Sequence, residues 1–243
     1  MDYYGWRPYV PVAARRRKAM REVERRRKTG VPISPVTIEG RTITKTFWGK
    51  SWCENLESYS DFENRLPRGR AYVRNGSVLH LAVGAKRVDA LVQGTELYEV
   101  SVEIAPLPKP RWKAIVSACG GQITSLIELL QGKLSAGVMT IVTHPDKGLF
   151  PAPPQVEMRC SCPDAATMCK HVAAVLYGVG ARLDTKPDLL FLLRGVDHSE
   201  LIDSAASTVP SKPTGTARRL STDELSGVFG IELDTAPRRP RRR

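Results

Sequence analysis

Cys160-Ser161-Cys162-Pro163-Asp164-Ala165-Ala166-Thr167-Met168-Cys169-Lys170-His171 places three thiols and one imidazole within twelve residues. Cys160, Cys162, Cys169 and His171 form a complete ligand set for tetrahedral zinc. Cysteines two apart on an extended segment point to the same side of the backbone. Val156, Met158 and Cys160 alternate with Gln155, Glu157 and Arg159, which suits a strand running into the site. Pro163-Asp164 then turns the chain. Cys169 and His171 would face apart inside a helix, so the reading places Cys169 at or just before a helix start and His171 in its first turn. There a thiolate also feels the positive end of the helix dipole. Val172, Val175, Leu176 and Val179 follow at the helical spacing i, i+3, i+4, i+7.

A catalytic zinc keeps one position open, whereas these four residues fill every position, so the expected role is structural. Disulfide pairing is the weaker reading. The number of cysteines is odd, a Cys-x-Cys bridge is strained, and no signal peptide implies an oxidising compartment.

Cys-x-Cys, six residues, then Cys-x-His resembles the SWIM-type zinc finger. The surroundings resemble the bacterial SWIM zinc finger proteins: CSCPDAATMCKH at Cys160–His171 runs into VAAVLYGVGARLD, LLFLLRGVD follows at Leu189–Asp197, and RLPRGRAYVRNG precedes at Arg65–Gly76. The resemblance covers roughly Phe47 to Asp203. It implies a ββα-like module, a DNA-binding or protein-interaction role, and partnership with a helicase-like ATPase of the chromatin-remodeller class.

The 243 residues, 42% of them hydrophobic, support one large domain or a domain plus a module. No apolar run reaches the length of a membrane span, and the start carries no secretion signal, so the expected location is cytoplasmic. The net charge of +12 is unevenly placed: residues 1–28 carry +7, residues 237–243 carry +5, and residues 29–236 are balanced. Such a pattern points to polyanion-binding arms on a neutral body, or to solubilising tails. The candidate phosphate contacts are Arg15, Arg16, Arg17, Lys18, Arg25, Arg26, Arg27 and Lys28 on a basic helix over 13–28, and Arg238, Arg239, Arg241, Arg242 and Arg243 at the end of the chain. Arg21 lies on the same helix, and Gly30 and Pro32 end it.

Elsewhere the pattern predicts an antiparallel meander of four strands. Arg70 to Arg74 runs into an Asn75-Gly76 hairpin turn, and the other strands are Leu79–Val83, Val88–Gln93 and Leu97–Ile104. His80 reads as an exposed strand residue. Val36 to Thr46 alternates around a possible turn at Glu39-Gly40. Trp48, Trp52, Leu56 and Tyr59 share one helical face beside Cys53, which reads as a packed thiol. Trp112, Ile115, Val116 and Cys119 form a second helical stripe, Ile123 to Leu130 a third, and residues 134–142 are read as a further helix. Pro187 to Leu193 suggests a helix after the finger. Arg65, Arg68, Arg70 and Arg74 are read as phosphate contacts or as ion-pair partners of Asp61 and Glu63.

The expected fold is α+β: an antiparallel sheet with packed helices, then a ββα-like zinc module. The expected parts are a basic arm over 1–30, a platform over 31–154, the zinc module with trailing helices over 155–202, and a basic tail over 203–243, which carries an apolar island at Leu225–Leu233. No phosphate-binding loop of the G-x-x-x-x-G-K-[ST] kind and no nucleophile–base pair stands out, so no enzyme activity is expected. The function that follows is nucleic-acid binding, with DNA as the expected polymer. The alternative is a protein–protein adaptor that uses the finger and the island.

Overall fold

The computed structural model describes residues 11–30, 32–58, 65–120 and 134–201. In chain order it contains α1 (Val12–Lys28), α2 (Phe47–Glu57), α3 (Leu66–Arg74), β1 (Val78–Gly84), β2 (Arg87–Gln93), β3 (Leu97–Ile104), α4 (Lys109–Cys119), α5 (Ala136–Val142), β4 (Val156–Cys160), α6 (Lys170–Leu183) and α7 (Leu189–Arg194). The fold is α+β, with a four-stranded antiparallel sheet in the order β1-β2-β3-β4 and helices packed on it. Among the described residues no helix is long and apolar enough to cross a membrane.

The helix after the Cys/His cluster, α6, is the centre of the molecule. Every residue of α6 from His171 to Gly180 is buried. A helix that is apolar all round must be covered all round. The inner face of the sheet covers one side through Val78, Leu81, Val100 and Val102, and α2 and α3 cover the others. Small residues on α6 make this close packing possible. A β-carbon on Gly69 of α3 would lie 2.5 Å from that of Ala173, so the two backbones meet where neither side chain has bulk. Two indoles, Trp52 buried and Trp48 half-buried, fix the depth of α2: Trp52 donates to the carbonyl of Leu176 and Trp48 to that of Leu183. Asp184, just past α6, accepts from the backbone N–H of Lys45 and Thr46 and from the Thr46 hydroxyl. Thr46 in turn caps α2 through Gly49 N–H.

Three expectations need correction. Arg70–Arg74 is not a strand but the end of α3. Pro67 sits in the first turn, where its missing N–H costs nothing, and Leu66, Gly69 and Val73 are buried at i, i+3, i+7. Asn75-Gly76 therefore ends a helix rather than turning a hairpin. Gly76 adopts φ +67°, its N–H bonds Val73, and Ser77 N–H bonds Tyr72, which is the Schellman pattern. The sheet's fourth strand is β4 instead, so the strand that carries Cys160 pairs directly with β3.

His80 is half-buried rather than exposed. The register of β1 slips between Val78 and His80, which breaks the alternation read from the sequence. Leu79 turns to the outer face, where it packs with Ala19 and Val23 of α1, while Val78 and Leu81 join the main core. The Nδ1 of His80 accepts the N–H of Ser34, and burial holds the imidazole below its ordinary value.

The segment from Val36 to Thr46 forms no hairpin. Its start lies along β1 instead: Val36 N–H bonds Val78, and Leu81 N–H bonds Ser34. The stripes on α2 and α4 fall as expected, and Cys53 and Cys119 are buried. Asp61, Glu63, Tyr59, the stripe from Ile123 to Leu130 and the island at Leu225–Leu233 lie outside the described residues.

Candidate metal centre

Strand β4 delivers Cys160, opposite Val100 of β3. The knuckle that follows is clamped to the same strand twice. Ser161 N–H donates to the Glu99 carbonyl, and Glu99 N–H donates to the Ser161 hydroxyl. Asp164 shapes the return loop by accepting from Ala166 N–H and from Arg65, 3.3 Å away at the start of α3. Met168 is fully buried and anchors the end of the loop. Cys169 is the N-cap of α6 in extended conformation, and His171 lies in the first turn, as the spacing predicts.

The ligand atoms of Cys160, Cys162, Cys169 and His171 all lie within 4.8 Å of one another. The His171 Nδ1 is 3.8 Å from the sulfur of Cys160 and 3.8 Å from that of Cys169. Zinc bonds of about 2.3 Å to sulfur and about 2.0–2.1 Å to nitrogen imply tetrahedral edges of roughly 3.6–3.8 Å. The cluster can hold a metal ion, and its donor set and spacing fit zinc.

The sulfurs are electrostatically unequal. Cys169 is pushed down by a hydrogen bond from Cys160, helped by His171 and by the backbone N–H groups of Val172 and His171 at the helix start. Cys160 is pushed up by the Cys169 sulfur beside it and by burial. A bound cation would draw the cysteines into the thiolate state. The remaining cysteines behave oppositely. Burial pushes Cys53 up to about 12 and Cys119 up to about 11, as expected of inert packed thiols.

His171 is held by rings rather than by a hydrogen-bonded carboxylate. The Tyr98 ring lies 4.5 Å from it, tilted by 32°, and Tyr72 meets it edge-on at 5.3 Å. Its Nε2 is buried with no hydrogen-bond partner among the described residues and faces Gly94, at the end of β2. No local signal in the sequence marks Gly94, Tyr98, Ser161 or Arg65 as supports of the site, because each lies far along the chain from at least part of what it holds.

The basic candidates are divided. Helix α1 is seated on the outer face of the sheet, with Ala19 and Val23 buried against Leu79 and beside Ile33 and Leu97. Arg25 bonds Glu22 at 2.7 Å, Arg26 bonds Glu22 at 3.0 Å and Glu99 at 2.7 Å, and Arg27 lies 3.5 Å from Glu24. Arg17, Lys18 and Lys28 are exposed. The side chains of Arg15 and Arg16, and all of Arg238, Arg239, Arg241, Arg242 and Arg243, lie outside the described residues. Arg65 and Arg70 have structural partners: Arg65 holds Asp164, while Arg70 bonds both Glu57 and the Tyr177 hydroxyl.

No family model matches the chain, and no solved structure matches it. A protein of Mycobacterium tuberculosis (strain ATCC 25618 / H37Rv), described as Uncharacterized protein Rv2102, is 31% identical over 187 residues, covering 72% of this chain and 67% of the relative. This chain belongs to the same family as that mycobacterial protein.

Proposed function

We propose that this is a SWIM-type structural-zinc protein that binds nucleic acid, with DNA as the polymer, as a non-enzymatic accessory to a helicase-like ATPase. The observation that carries the reading is the closed donor set: four protein ligands converge within 4.8 Å, enough to fill a tetrahedron without water. The basic excess at the two ends of the chain supports the nucleic-acid part, since phosphate neutralisation is the main source of non-specific affinity. When bound, zinc supplies a cross-link between β4 and α6. Cys160 and Cys162 hold it from the strand side, Cys169 and His171 from the helix side.

The competing reading is an adaptor that meets the ATPase through protein contacts alone. The pairing of Arg25, Arg26 and Arg27 with carboxylates favours it, because those cations are partly neutralised. Elemental analysis together with a salt titration of DNA binding by the isolated protein decides. One zinc per chain and affinity that falls steeply with salt support the proposal. Zinc with no DNA binding at low salt supports the adaptor, and no zinc removes the SWIM assignment.

A further inference from the structure

We infer that the phosphate-binding surface is a fixed stripe on the seated helix α1, made of Lys18, Arg21, Arg25 and Lys28, and that its ligand is a run of phosphodiesters along one nucleic-acid backbone. The inference rests on the nucleic-acid reading above and locates it on the fold. The four cations recur at i, i+3, i+7 and i+10, so they share one side of the helix. That side is turned away from the buried Ala19 and Val23. All four residues are exposed. At 1.5 Å per residue the stripe is about 15 Å long. One strand of a duplex presents a phosphate every 3.4 Å of axis, so the stripe spans about four of them.

The stripe also borders a recess. A notch of about 440 Å³ lies between α1 and the turn joining β2 to β3, lined by Lys18, Arg21, Arg25 and Arg26 on one side and Thr95 and Leu97 on the other. Its acids are Glu22 and Glu96, and Glu22 already serves Arg25 and Arg26, so cations are in excess. No carboxylate among the described residues pairs with Lys18, Arg21 or Lys28. The dipole favours cations at Arg25 and Lys28, in the last turn, but it does not explain Lys18 and Arg21 in the middle of the helix. Lys18 and Arg21, three apart and with no carboxylate partner among the described residues, repel each other, and a polyanion laid along them removes that repulsion.

The stripe is also pre-positioned. Val23 and Ala19 seat the helix against Leu79 and Leu97, and Arg26 ties it to Glu99. Glu99 is the residue whose main chain is clamped to Ser161, between the metal-ligand cysteines. The loop of the Cys/His cluster and the helix that carries the stripe thus share Glu99 as a common anchor.

The test uses the full chain, the double variant Lys18→Gln with Arg21→Gln, the single variant Lys28→Gln, and a tail variant Arg239→Gln with Arg241→Gln. Glutamine keeps helix propensity at these exposed positions. Binding to duplex and to single-stranded DNA is measured against salt, with zinc content as the check on the fold. The double variant should flatten the slope of log affinity against log salt by about 1.8 on duplex and about 1.4 on single strands, and Lys28→Gln by about half as much. If the full chain binds with steep salt dependence, yet both helix variants keep that slope and only the tail variant flattens it, the stripe is refuted and nucleic-acid binding stands. A full chain that does not bind at low salt overturns both.

Discussion

Gly94 lies so close to His171 that a β-carbon placed on it would stand 2.7 Å from Nε2, and 2.6 Å from the Tyr98 ring that flanks the imidazole. The site thus depends on a missing side chain. Nδ1 faces the sulfurs while the opposite edge of the ring is pressed against backbone.

Gly94→Ala should therefore weaken the metal site without altering a ligand. The added methyl must displace His171 or Tyr98, and changes to the groups that orient ligands cost about 10–100-fold in metal affinity. Competition with a chromophoric chelator measures it. An affinity within twofold of the wild type would show that the ring has room to move.

Cys169→Ala should abolish stoichiometric zinc and should do more than loosen a finger. Structural zinc in finger peptides carries about 10–16 kcal/mol of apparent binding energy, against about 5–15 kcal/mol of stability for a whole domain. Because α6 is buried from His171 to Gly180, the loss should reach Trp52, whose indole bonds Leu176 on that helix. Trp fluorescence should change on metal removal. Cys53→Ala and Cys119→Ala should keep one zinc per chain, and neither thiol should react in the native protein. Zinc lost from either variant would place the site elsewhere.

The Cys/His cluster was legible because its logic is local. Cys160 to His171 span one turn between a strand and a helix start, and alternation before and periodicity after locate both. The strands from Val88 to Ile104 and the stripes on α2 and α4 were legible for the same reason. What escaped the sequence depended on contacts across the chain. Arg70–Arg74 reads as a strand because Asn75-Gly76 follows it like a hairpin turn, but Gly69 against Ala173 makes it a helix packed on another. The slip between Val78 and His80 is a property of paired strands. The supports of the site also come from afar: Arg65 reaches Asp164, and Glu99 reaches both Ser161 and Arg26. The basic helix reads as an arm because its apolar positions are few, yet Ala19 and Val23 suffice to seat it on Leu79.

Acid should loosen the helix α1 itself through Glu22, whose partners Arg25 and Arg26 lie on the same helix. Hydrogen bonds from Arg25 and then Arg26 lower its carboxyl from 4.5 to about 2. A group depressed in the folded state contributes stability above its unfolded value and loses it as pH falls through the folded one. The contribution is therefore complete above about pH 4.5 and gone near pH 2. The group is only partly buried, at the surface of the helix, so the effect should be small and salt-sensitive. Hydrogen exchange of α1, taken relative to the intrinsic amide rate at each pH, should quicken across that window. In Glu22→Gln it should be faster than wild type at neutral pH and lack the same step. Identical profiles would mean that Glu22 does not hold the helix.

Gly69→Val tests the central crossing. The β-carbon would fall 2.5 Å from that of Ala173 and 3.0 Å from its carbonyl carbon, and the branched methyls would intrude further. Neither helix has a flexible side chain there to yield, so α3 and α6 must separate. Overpacking of this kind costs about 1–3 kcal/mol, with more expected where backbone must move. The separation would also pull Arg65 from Asp164, since Arg65 begins α3. Two effects should therefore appear together: a lower midpoint of denaturation and faster loss of zinc to a chelator. Adding Ala173→Gly should restore part of both, because it removes the methyl that the valine meets. Unchanged stability in Gly69→Val would mean that the two helices do not cross as closely as 2.5 Å implies.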